Sequence, residues 1–271
     1  MSVGLISPLV KDRTKALVAS NTRPITVTPL LYRVWASTRM RELLEWQELW
    51  LSPSISSYRP ERSCEHTWWE EALRVEHALL TDTPLCGISM DFSKAFDRLP
   101  HAILLQMAEE VGMDADILRA LRGMYSSLQR SFHIEGHVGE AFKSTNRIFQ
   151  GCPISVLLMN LYAEVWLRAT KAEVGGTIAP QSYADDIGAM AHEPAEIVAT
   201  CALTDEYATL TGMLVNGGKS HVWATFHAHR KQLQQCQVQG EDLTVVSEDR
   251  RLGAFLSYGR RRLANTLQRK L

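Results

Sequence analysis

The sequence lacks the marks of secreted, membrane-spanning and disulfide-bonded proteins. Its five cysteines are scattered over 271 residues, and no two of them form a C-x-x-C pair. An odd, widely spaced set argues against a disulfide framework or a zinc knuckle, so we expect reduced and mostly buried thiols. No stretch reaches the roughly 18 to 20 apolar residues of a spanning helix, and the N-terminus does not resemble a secretory signal. The composition therefore predicts a soluble, intracellular protein.

Positive charge is also scarce. The net charge is −1 and the isoelectric point is about 6.8, whereas nucleic-acid-binding proteins usually carry a basic surface for the phosphates. This neutrality weighs mildly against tight autonomous binding to nucleic acid, although a cluster of carboxylates would also lower the sum. The exception is a basic C-terminal tail, residues 258–271, which contains Arg260, Arg261, Arg262, Arg269 and Lys270.

The order of helix and strand patterns indicates the fold class. The sequence has no internal repeat, low-complexity tract or dinucleotide-binding glycine fingerprint. Strands and helices interleave, which predicts an α+β fold with helices on one face of a sheet, in one large domain or two small packed ones. The predicted helices run from an N-cap at Thr28 to about 50, from a cap at Ser63 to about 80, from Asp114, from Ser155, and from Pro194 to Gly212. The predicted strands lie at 85–92, in a hairpin over 130–149 and in a strand–turn–strand over 182–191. The chain after Gly212 is predicted to form short strands, which include 220–226 and 252–256.

Two groups of acidic residues stand out by their position. Asp91 ends an apolar strand, and Asp185–Asp186 lies in a tight turn between two apolar segments. If these strand ends are neighbours, their carboxylates form a hard-oxygen site that suits Mg²⁺. Two ions about 3.5–4 Å apart can activate a hydroxyl and stabilise a leaving pyrophosphate. Taken singly, each aspartate could equally be a turn or cap residue that faces water.

Five segments, in order, carry a resemblance to a known family. The palm motifs of reverse transcriptases resemble DFSKAFDRL (91–99), FQGCPISVLLMNLYAE (149–164), YADD (183–186), GMLVNGGKS (212–220) and RRLGAFLS (250–257). Upstream, RPITVTPLLYR (23–33) and SYRPERS (57–63) are similar to fingers segments of that family. The branch that the chain resembles is that of non-LTR retrotransposons and group II introns. YADD alone would be a weak signal, whereas five motifs in the right order are specific.

The resemblance implies roles for the acidic residues. Asp91 and Asp185 would bind two metal ions, with Mg²⁺ expected and Mn²⁺ as a substitute. The backbone carbonyl of Phe92 would assist, and Asp186 would support the pair as the last member of the metal set. Lys219 matches a family lysine proposed to protonate the leaving pyrophosphate as a general acid. On the sequence alone, a surface lysine is an equally simple interpretation.

The resemblance also implies a nucleotide-binding set. Phe96 matches the family's aromatic steric gate, whose ring would clash with a 2′-hydroxyl and favour deoxynucleotides; a core phenylalanine is the alternative. Gln150 and Gly151 precede a helix, and the glycine lets the backbone approach a template base or an incoming nucleotide. Arg59 and Arg62 could contact the triphosphate, because guanidinium groups pair bidentately with phosphate oxygens. Solvated loop arginines fit the pattern nearly as well.

The implied architecture is a right-hand polymerase palm, an antiparallel sheet backed by helices, with partial fingers and little or no thumb. We expect partial fingers over 1–84, a palm over 85–257 with a fingers insertion at 100–149, and a truncated start of a thumb in 258–271. No endonuclease, RNase H or cysteine–histidine zinc module is recognisable in the sequence. Missing thumb and endonuclease regions would make the chain part of a larger polyprotein, or a domesticated copy.

Three functions follow as hypotheses. The first is the RNA-directed DNA polymerase core of a retroelement, a nucleotidyltransferase that adds dNTPs to a primer 3′-hydroxyl by two-metal chemistry. The second is a catalytically inactive or domesticated remnant that binds RNA or protein. The third, an RNA-copying polymerase, is disfavoured because such enzymes usually carry G-D-D in place of Y-A-D-D. The expected partners are an RNA template, a DNA or RNA primer and dNTPs, with no membrane. The nucleus is the natural compartment for a retroelement.

Overall fold

The chain divides into two compact units. The computed structural model of the protein describes residues 3–14, 18, 21–144 and 146–259. The first unit contains Met1–Leu51 and Lys94–Tyr162, and the second contains Ser52–Ser93 and Ala163–Leu271. Each unit is therefore built from two separated segments of the sequence. The basic tail predicted at 258–271 lies outside the described residues from position 260 onward.

The helices of the described residues include the five predicted ones and also a helix at His227–Leu233, where the sequence indicated only short strands. They are α1 (Leu30–Glu48), α2 (Cys64–Thr81), α3 (Ala95–Arg98), α4 (His101–Glu110), α5 (Ala115–Ser127), α6 (Ser155–Glu173), α7 (Pro194–Thr211) and α8 (His227–Leu233). None of these described helices combines the length and the apolar character that a bilayer crossing needs.

The strands include the predicted ones and two that the sequence did not indicate. They are β1 (Val3–Val10), β2 (Thr22–Val27), β3 (Cys86–Met90), β4 (Gln129–Ile134), β5 (His137–Val138), β6 (Ala179–Tyr183), β7 (Asp186–Ala191), β8 (His221–Ala224), β9 (Gln237–Val238), β10 (Glu241–Asp242), β11 (Thr244–Val246), β12 (Glu248–Arg251) and β13 (Ala254–Ser257). The two unpredicted strands are β1 and β2.

The second unit is built on a five-stranded sheet with the order β11-β8-β3-β7-β6. The central strand, β3, is apolar and buried along its whole length, which explains why it follows no polar–apolar alternation. It pairs antiparallel with β7 on one side and with β8 on the other, while β11 joins β8 in parallel. This arrangement places the end of β3 beside the start of β7.

A hydrophobic cluster packs beside this sheet. Its buried members come from α2, from the sheet and from the C-terminal hairpin, and include Val75, Met190, Trp223, Leu256 and Tyr258. The rings of Trp223 and Tyr258 are stacked, with centroids 4.1 Å apart and planes 6° from parallel. Aromatic pairs of this kind bury large apolar areas and fix the relative position of the elements that carry them. The hairpin β12–β13 is thereby anchored against β8.

The first unit contains a four-stranded sheet with the order β2-β1-β4-β5. Strand β1 pairs antiparallel with β2 and parallel with β4. Pro8 and Pro24 face each other in the β1–β2 pair. Proline cannot donate a ladder hydrogen bond, so these two residues weaken the strand signal in the sequence. The predicted hairpin is confirmed as β4–β5, with Gly136 at its turn.

Local signals set most helix ends. Ser63 is the N-cap of α2, and Asp114 caps α5 by accepting hydrogen bonds from two backbone amides of the first turn. Helix α7 starts at Pro194 and ends at Gly212, whose left-handed backbone (φ 69°) terminates it. These predictions are confirmed. The predicted cap at Thr28 is wrong by one residue, because Pro29 occupies the N-cap of α1.

The cysteines behave as the composition predicts. All five are free thiols, and four of them are buried: Cys86, Cys152, Cys201 and Cys236. Burial raises the pKa of the Cys86 thiol to about 12. Such a thiol stays protonated at neutral pH and behaves as a small apolar group.

Candidate active site

Asp91 directly follows β3 and is held by the segment that precedes β8. Its backbone amide donates to the Ser220 hydroxyl at 3.0 Å, and its carbonyl accepts from the Asn216 amide at 2.8 Å. The Asn216 side chain then donates from Nδ2 to Oδ2 of the Asp91 carboxylate at 3.0 Å. Three contacts from one neighbouring segment thus fix both the backbone and the side chain of Asp91.

The YADD segment forms the tight turn between β6 and β7. Tyr183 pairs with Asp186, which leaves Ala184 and Asp185 as the two residues of the turn. Ala184 has a left-handed backbone (φ 55°), a conformation that costs about 1–2 kcal/mol for a residue other than glycine. Asp185 therefore sits at the tip of the turn, whereas Asp186 is the first residue of β7.

The sheet register brings Asp91 and Asp186 to the same edge. Met90 pairs with Ile187 across β3 and β7. Asp91 is the residue after Met90, and Asp186 is the residue before Ile187. Because the two strands are antiparallel, these neighbours lie opposite each other. The turn at Asp185 adjoins them. The structure thus gathers the three acidic residues that the motifs singled out.

The charges at this edge act on one another. The pKa of Asp185 lies above its usual value, mainly because the carboxyl is desolvated and further because Asp91 and Asp186 repel its charge. The backbone amide of Asp185 and the cation of Lys219 act in the opposite direction but do not cancel the increase. Negative charge at this edge is therefore only partly compensated, which favours binding of a cation.

Lys219 approaches the acidic residues from the side. Its Nζ lies 3.6 Å from Oδ2 of Asp91, and its side chain is 69% exposed. It borders a cavity of about 460 Å³, whose lining also includes the acidic residues Asp91 and Asp186 and the basic residues His221 and Arg250. Acidic and basic side chains therefore face the same open space, which is suited to a ligand that carries both phosphate and metal.

Asp186 forms an ion pair with a buried cation, the guanidinium of Arg251. Its Oδ1 lies 3.1 Å from Nε and 3.0 Å from Nη2 of Arg251. Arg251 also forms an ion pair with Glu71 of α2. Burial alone would lower the pKa of the Arg251 guanidinium, but the carboxylates of Asp186 and Glu71 outweigh burial and raise it above its usual value. Arg251 therefore remains charged.

Four of the residues that shape this edge were not predicted. Asn216, Ser220 and Arg251 lie inside segments recognised as motifs, so the sequence marked their positions but not their contacts. Glu71 lies in α2, outside every recognised motif. A glutamate in the middle of an amphipathic helix gives no signal of burial, because its ion-pair partner is distant in sequence.

Three other predicted site residues lie in the second unit. Phe92 is buried and bridges to Val215. Arg59 donates from Nη1 to the carbonyls of Ser52 and Ile55 at 2.8 and 3.0 Å. Arg62 donates from Nη1 to the carbonyl of Pro53 at 3.0 Å. Both arginines thus bind the chain's own backbone, and their predicted contact with a triphosphate stays a prediction.

The predicted nucleotide-binding residues Phe96, Gln150 and Gly151 lie in the first unit. The Phe96 carbonyl accepts from the Ile148 amide, and the Gln150 carbonyl accepts from the Thr26 amide, both at 2.8 Å. Gly151 has a φ of 111°, and a Cβ there would lie 3.0 Å from the Thr26 carbonyl oxygen. Within the unit, the backbone of β2 approaches this glycine closely, and the predicted contact with a template base or nucleotide stays a prediction.

The donor atoms present fit a magnesium site that shares its ligands with a substrate. Among the described residues, no group of three or more His, Cys, Asp or Glu side chains is placed to hold a metal alone. Asp91 and Asp185 offer carboxylate oxygens, and Phe92 offers a backbone carbonyl. Mg²⁺ is commonly held by one or two carboxylates and completes its shell with water and substrate phosphates.

Comparison with known proteins identifies the family. The model for "Reverse transcriptase (RNA-dependent DNA polymerase)" matches residues 10–245. The chain belongs to the reverse transcriptase family. The match includes the segments that carry Asp91, Asp185, Asp186 and Lys219.

Two relatives place this reverse transcriptase in the non-LTR branch. One is the "Retrovirus-related Pol polyprotein from type-2 retrotransposable element R2DM" of Drosophila melanogaster, 24% identical over 205 residues that cover 73% of this chain and 19% of the relative. The other is the "Transposon TX1 uncharacterized 149 kDa protein" of Xenopus laevis, 24% identical over 211 residues, 74% of this chain and 16% of the relative. The chain thus spans less than a fifth of the length of either.

Solved telomerase structures show the same fold. Telomerase from Candida tropicalis in complex with a TWJ fragment of telomeric RNA aligns over 82% of this chain and 41% of its own, with a TM-score of 0.62 and 13% identity. The apo form truncated from the C-terminal domain aligns over 82% and 50%, with a TM-score of 0.60 and 12% identity. The predicted α+β, right-hand polymerase fold is confirmed.

Proposed function

We propose that this chain is the catalytic core of an RNA-directed DNA polymerase from a non-LTR retroelement. It would transfer nucleotides from dNTPs to the 3′-hydroxyl of a DNA or RNA primer along an RNA template. The observation that carries the proposal is the convergence of Asp91 and Asp185 on one sheet edge, within the segment that matches the family. Their partly uncompensated charge is what a divalent cation requires.

The proposal assigns Mg²⁺, or Mn²⁺ in its place, to Asp91, Asp185 and the Phe92 carbonyl, with Asp186 supporting the pair as the last member of the metal set. When bound, such ions activate the primer hydroxyl and stabilise charge on the leaving pyrophosphate. The chain's own residues hold this site in shape: Asn216 and Ser220 orient Asp91, and the two-residue turn presents Asp185 at its tip. These supports are contacts within the chain itself, so they would restrict the positions of both carboxylates.

Further residues take roles around this centre in the proposal. Lys219, with Nζ 3.6 Å from Asp91, would donate a proton to the leaving pyrophosphate as a general acid. Arg59 and Arg62 would bind the triphosphate after exchanging their backbone partners. Phe96 would select the deoxyribose sugar, and Gln150–Gly151 would contact the template base or the nucleotide. In the proposed domain plan, residues 1–84 and the 100–149 insertion form fingers, 85–257 form the palm and 258–271 begin a thumb.

The much greater length of the R2DM and TX1 relatives supports a place for this chain within a larger polyprotein. Regions beyond it would supply grip on the template–primer duplex, which the neutral net charge of this chain does not favour. The natural compartment of such a protein is the nucleus, where the DNA target of a retroelement lies.

A primer-extension assay tests the proposal. The purified chain is given a primed RNA template, dNTPs and Mg²⁺, and incorporation is compared between the wild type and Asp185→Asn. We expect extension by the wild type and a loss of at least about a hundredfold in the variant. The control is Asp116→Asn, which removes an exposed carboxylate of α5. Preferential incorporation of ribonucleotides would instead indicate an RNA-copying polymerase.

A catalytically inactive, nucleic-acid-binding remnant is the second candidate. The observation that favours it is that Arg59 and Arg62, the predicted triphosphate ligands, donate to the chain's own backbone carbonyls. It would be supported by a folded chain that binds primed RNA but incorporates no nucleotide with either Mg²⁺ or Mn²⁺. Binding is measured on the same preparation by fluorescence anisotropy of a labelled template, so the two candidates give different results.

A further inference from the structure

One of the three acidic residues, Asp186, is paired with a buried cation. Asp186 is the first residue of β7; its Oδ1 accepts a hydrogen bond from Nε of one guanidinium at 3.1 Å and lies 3.0 Å from Nη2 of the same group. The side chain of Asp186 is 30% exposed, but that of Arg251 is only 2% exposed. The arginine therefore reaches the carboxylate from inside the protein, on the side away from solvent.

Arg251 is itself held by a buried network. It forms an ion pair with Glu71, whose side chain is 1% exposed. Glu71 also accepts from Nε2 of Gln181 at 2.9 Å and from the hydroxyl of Tyr258 at 3.2 Å. A buried charge is tolerated only when partners of this kind satisfy it. The network therefore gives the guanidinium a fixed position from which to hold Asp186.

Strand β7 leaves room for this guanidinium. Gly188 is two residues after Asp186 and lies on the same face of the strand. A Cβ at position 188 would lie 2.6 Å from the carbonyl oxygen of Ile88 in β3, and 2.9 Å from Nη2 and 3.1 Å from Nη1 of Arg251. The backbone of β3 and the guanidinium of Arg251 both require a glycine at this position.

The charges of the network divide the three aspartates into two classes. One guanidinium lies between the carboxylates of Asp186 and Glu71, so its charge compensates Asp186 directly. The carboxylate of Asp91 has an exposed cation, Lys219, at 3.6 Å and an uncharged donor, Nδ2 of Asn216, at 3.0 Å. Asp186 is therefore the aspartate whose charge is compensated by a buried guanidinium.

We propose that Arg251 is a positioning residue that withdraws Asp186 from the metal-binding set and uses it to anchor the turn carrying Asp185. In this arrangement Asp91 and Asp185 hold the divalent cations, and Asp186 acts through the backbone of β7. This inference rests on the proposed polymerase function and changes the role of Asp186 within it. Glu71, which Gln181 and Tyr258 hold by hydrogen bonds, positions Arg251 for this task. Gly188 leaves space for the guanidinium.

Direct metal binding tests the inference without polymerisation. Mn²⁺ is titrated into the full chain and bound ion is followed by electron paramagnetic resonance. We expect Asp185→Asn to weaken binding about tenfold or more, as for loss of a ligand, and Asp186→Asn to change it less than about threefold. Equal weakening by both variants would overturn the proposal, because Asp186 would then be a ligand.

The variant Arg251→Lys separates positioning from a purely structural role. It keeps the buried positive charge, so Glu71 stays paired, but a single ammonium cannot make the two contacts to Asp186. Asp186 is then free to turn toward the site and add its charge. We expect Mn²⁺ binding to tighten about threefold while the rate of nucleotide addition falls about tenfold to a hundredfold. A structural role alone would weaken both quantities together, and that result would overturn the proposal.

Controls keep the outcome interpretable. Arg74→Lys makes the same substitution at an exposed ion pair of α2 and is expected to leave both quantities unchanged. Thermal unfolding of each variant shows whether it is folded; should Arg251→Lys unfold, the apolar pair Arg251→Met with Glu71→Gln replaces it. If the wild type binds Mn²⁺ through Asp185 but adds no nucleotide, the polymerase function fails while the assignment of Asp186 is still decided by the titration.

Discussion

Gly87 and Trp223 face each other in register across β3 and β8, and the indole of Trp223 covers the space above the glycine. A Cβ at position 87 would lie 2.5 Å from Cε2 and 2.9 Å from Nε1 of that ring. The other face of the indole stacks on Tyr258. The glycine therefore lets a large aromatic ring lie flat on the central strand of the sheet, directly upstream of Asp91.

Substituting Gly87 should destabilise the second unit. A methyl group at this position must displace a buried, stacked indole, so we expect Gly87→Ala to lower the free energy of unfolding by about 3 kcal/mol. The measurement is urea denaturation followed by tryptophan fluorescence. The matched control is Gly123→Ala in α5, where a Cβ would meet nothing within 4 Å; it should stabilise the chain by about 0.5–1 kcal/mol. Equal effects at the two positions would contradict the packing account.

A second glycine pair separates backbone strain from close approach. Gly151 and Gly240 both have positive φ angles, but only at Gly151 would a Cβ approach a backbone atom, the Thr26 carbonyl oxygen at 3.0 Å. We expect Gly240→Ala to cost about 1 kcal/mol, from strain alone, and Gly151→Ala to cost about 2–3 kcal/mol. Chemical denaturation of both variants measures the difference. A larger cost at Gly240 would show that the contact with Thr26 is not limiting.

Stability should fall at mildly acidic pH because of His101. Burial, opposed by a hydrogen bond from Nε2 to the Arg147 carbonyl at 2.8 Å, lowers the pKa of His101 below its usual 6.5. The unfolded chain then takes up the proton at a higher pH than the folded chain does. The stabilising effect is complete above pH 6.5 and is lost as the pH falls through the folded-state pKa.

The variant His101→Gln tests this effect, because the amide still donates to the carbonyl but does not titrate. The stability advantage of the wild type over the variant should shrink as the pH is lowered from 7 to 5. Thermal unfolding at a series of pH values measures it. An advantage that stays constant over that range would show that His101 does not contribute to the acid sensitivity.

Loss of the amine at position 219 should slow the chemical step. If Lys219 protonates the leaving pyrophosphate, Lys219→Met should reduce the rate of single-nucleotide addition about a hundredfold while leaving primed-template affinity within about twofold. Single-turnover quench-flow kinetics separate the two quantities. Lys171→Met, at an exposed position in the last turn of α6, is the control. A loss of affinity without a loss of rate would assign Lys219 to binding alone.

Sugar selection should depend on Phe96. Phe96 is half-buried in α3, and removal of its ring should let a 2′-hydroxyl enter if the ring is the steric gate. We expect Phe96→Ala to lower the preference for dNTPs over rNTPs by about a hundredfold or more. The ratio of the two kcat/KM values measures it. Phe132→Ala, which removes an exposed ring of β4, should leave the ratio unchanged, and no change in either variant would assign Phe96 to the core.

The sequence predicted the parts of this structure that local chemistry or short motifs determine. Helix caps such as Ser63 and Asp114, and the strand–turn–strand that carries Asp185, are specified within a few residues. The strands β1 and β2 were not predicted, because each contains a proline, and proline is unusual inside a hydrogen-bonded strand. The ion pair between Glu71 and Arg251 escaped it because the partners are about 180 residues apart. Such long-range contacts leave no periodic pattern in a single sequence.

The position of β3 in the sheet also governs when the protein can fold. Both partner strands come late in the chain: β7 follows about 100 residues after β3, and β8 follows about 130 residues after it. At roughly 5–20 residues per second, a ribosome needs several seconds to supply either partner. During that interval an apolar strand has no ladder to join and is open to aggregation. Supply of a chaperone that shields nascent apolar segments should therefore raise the yield of soluble protein.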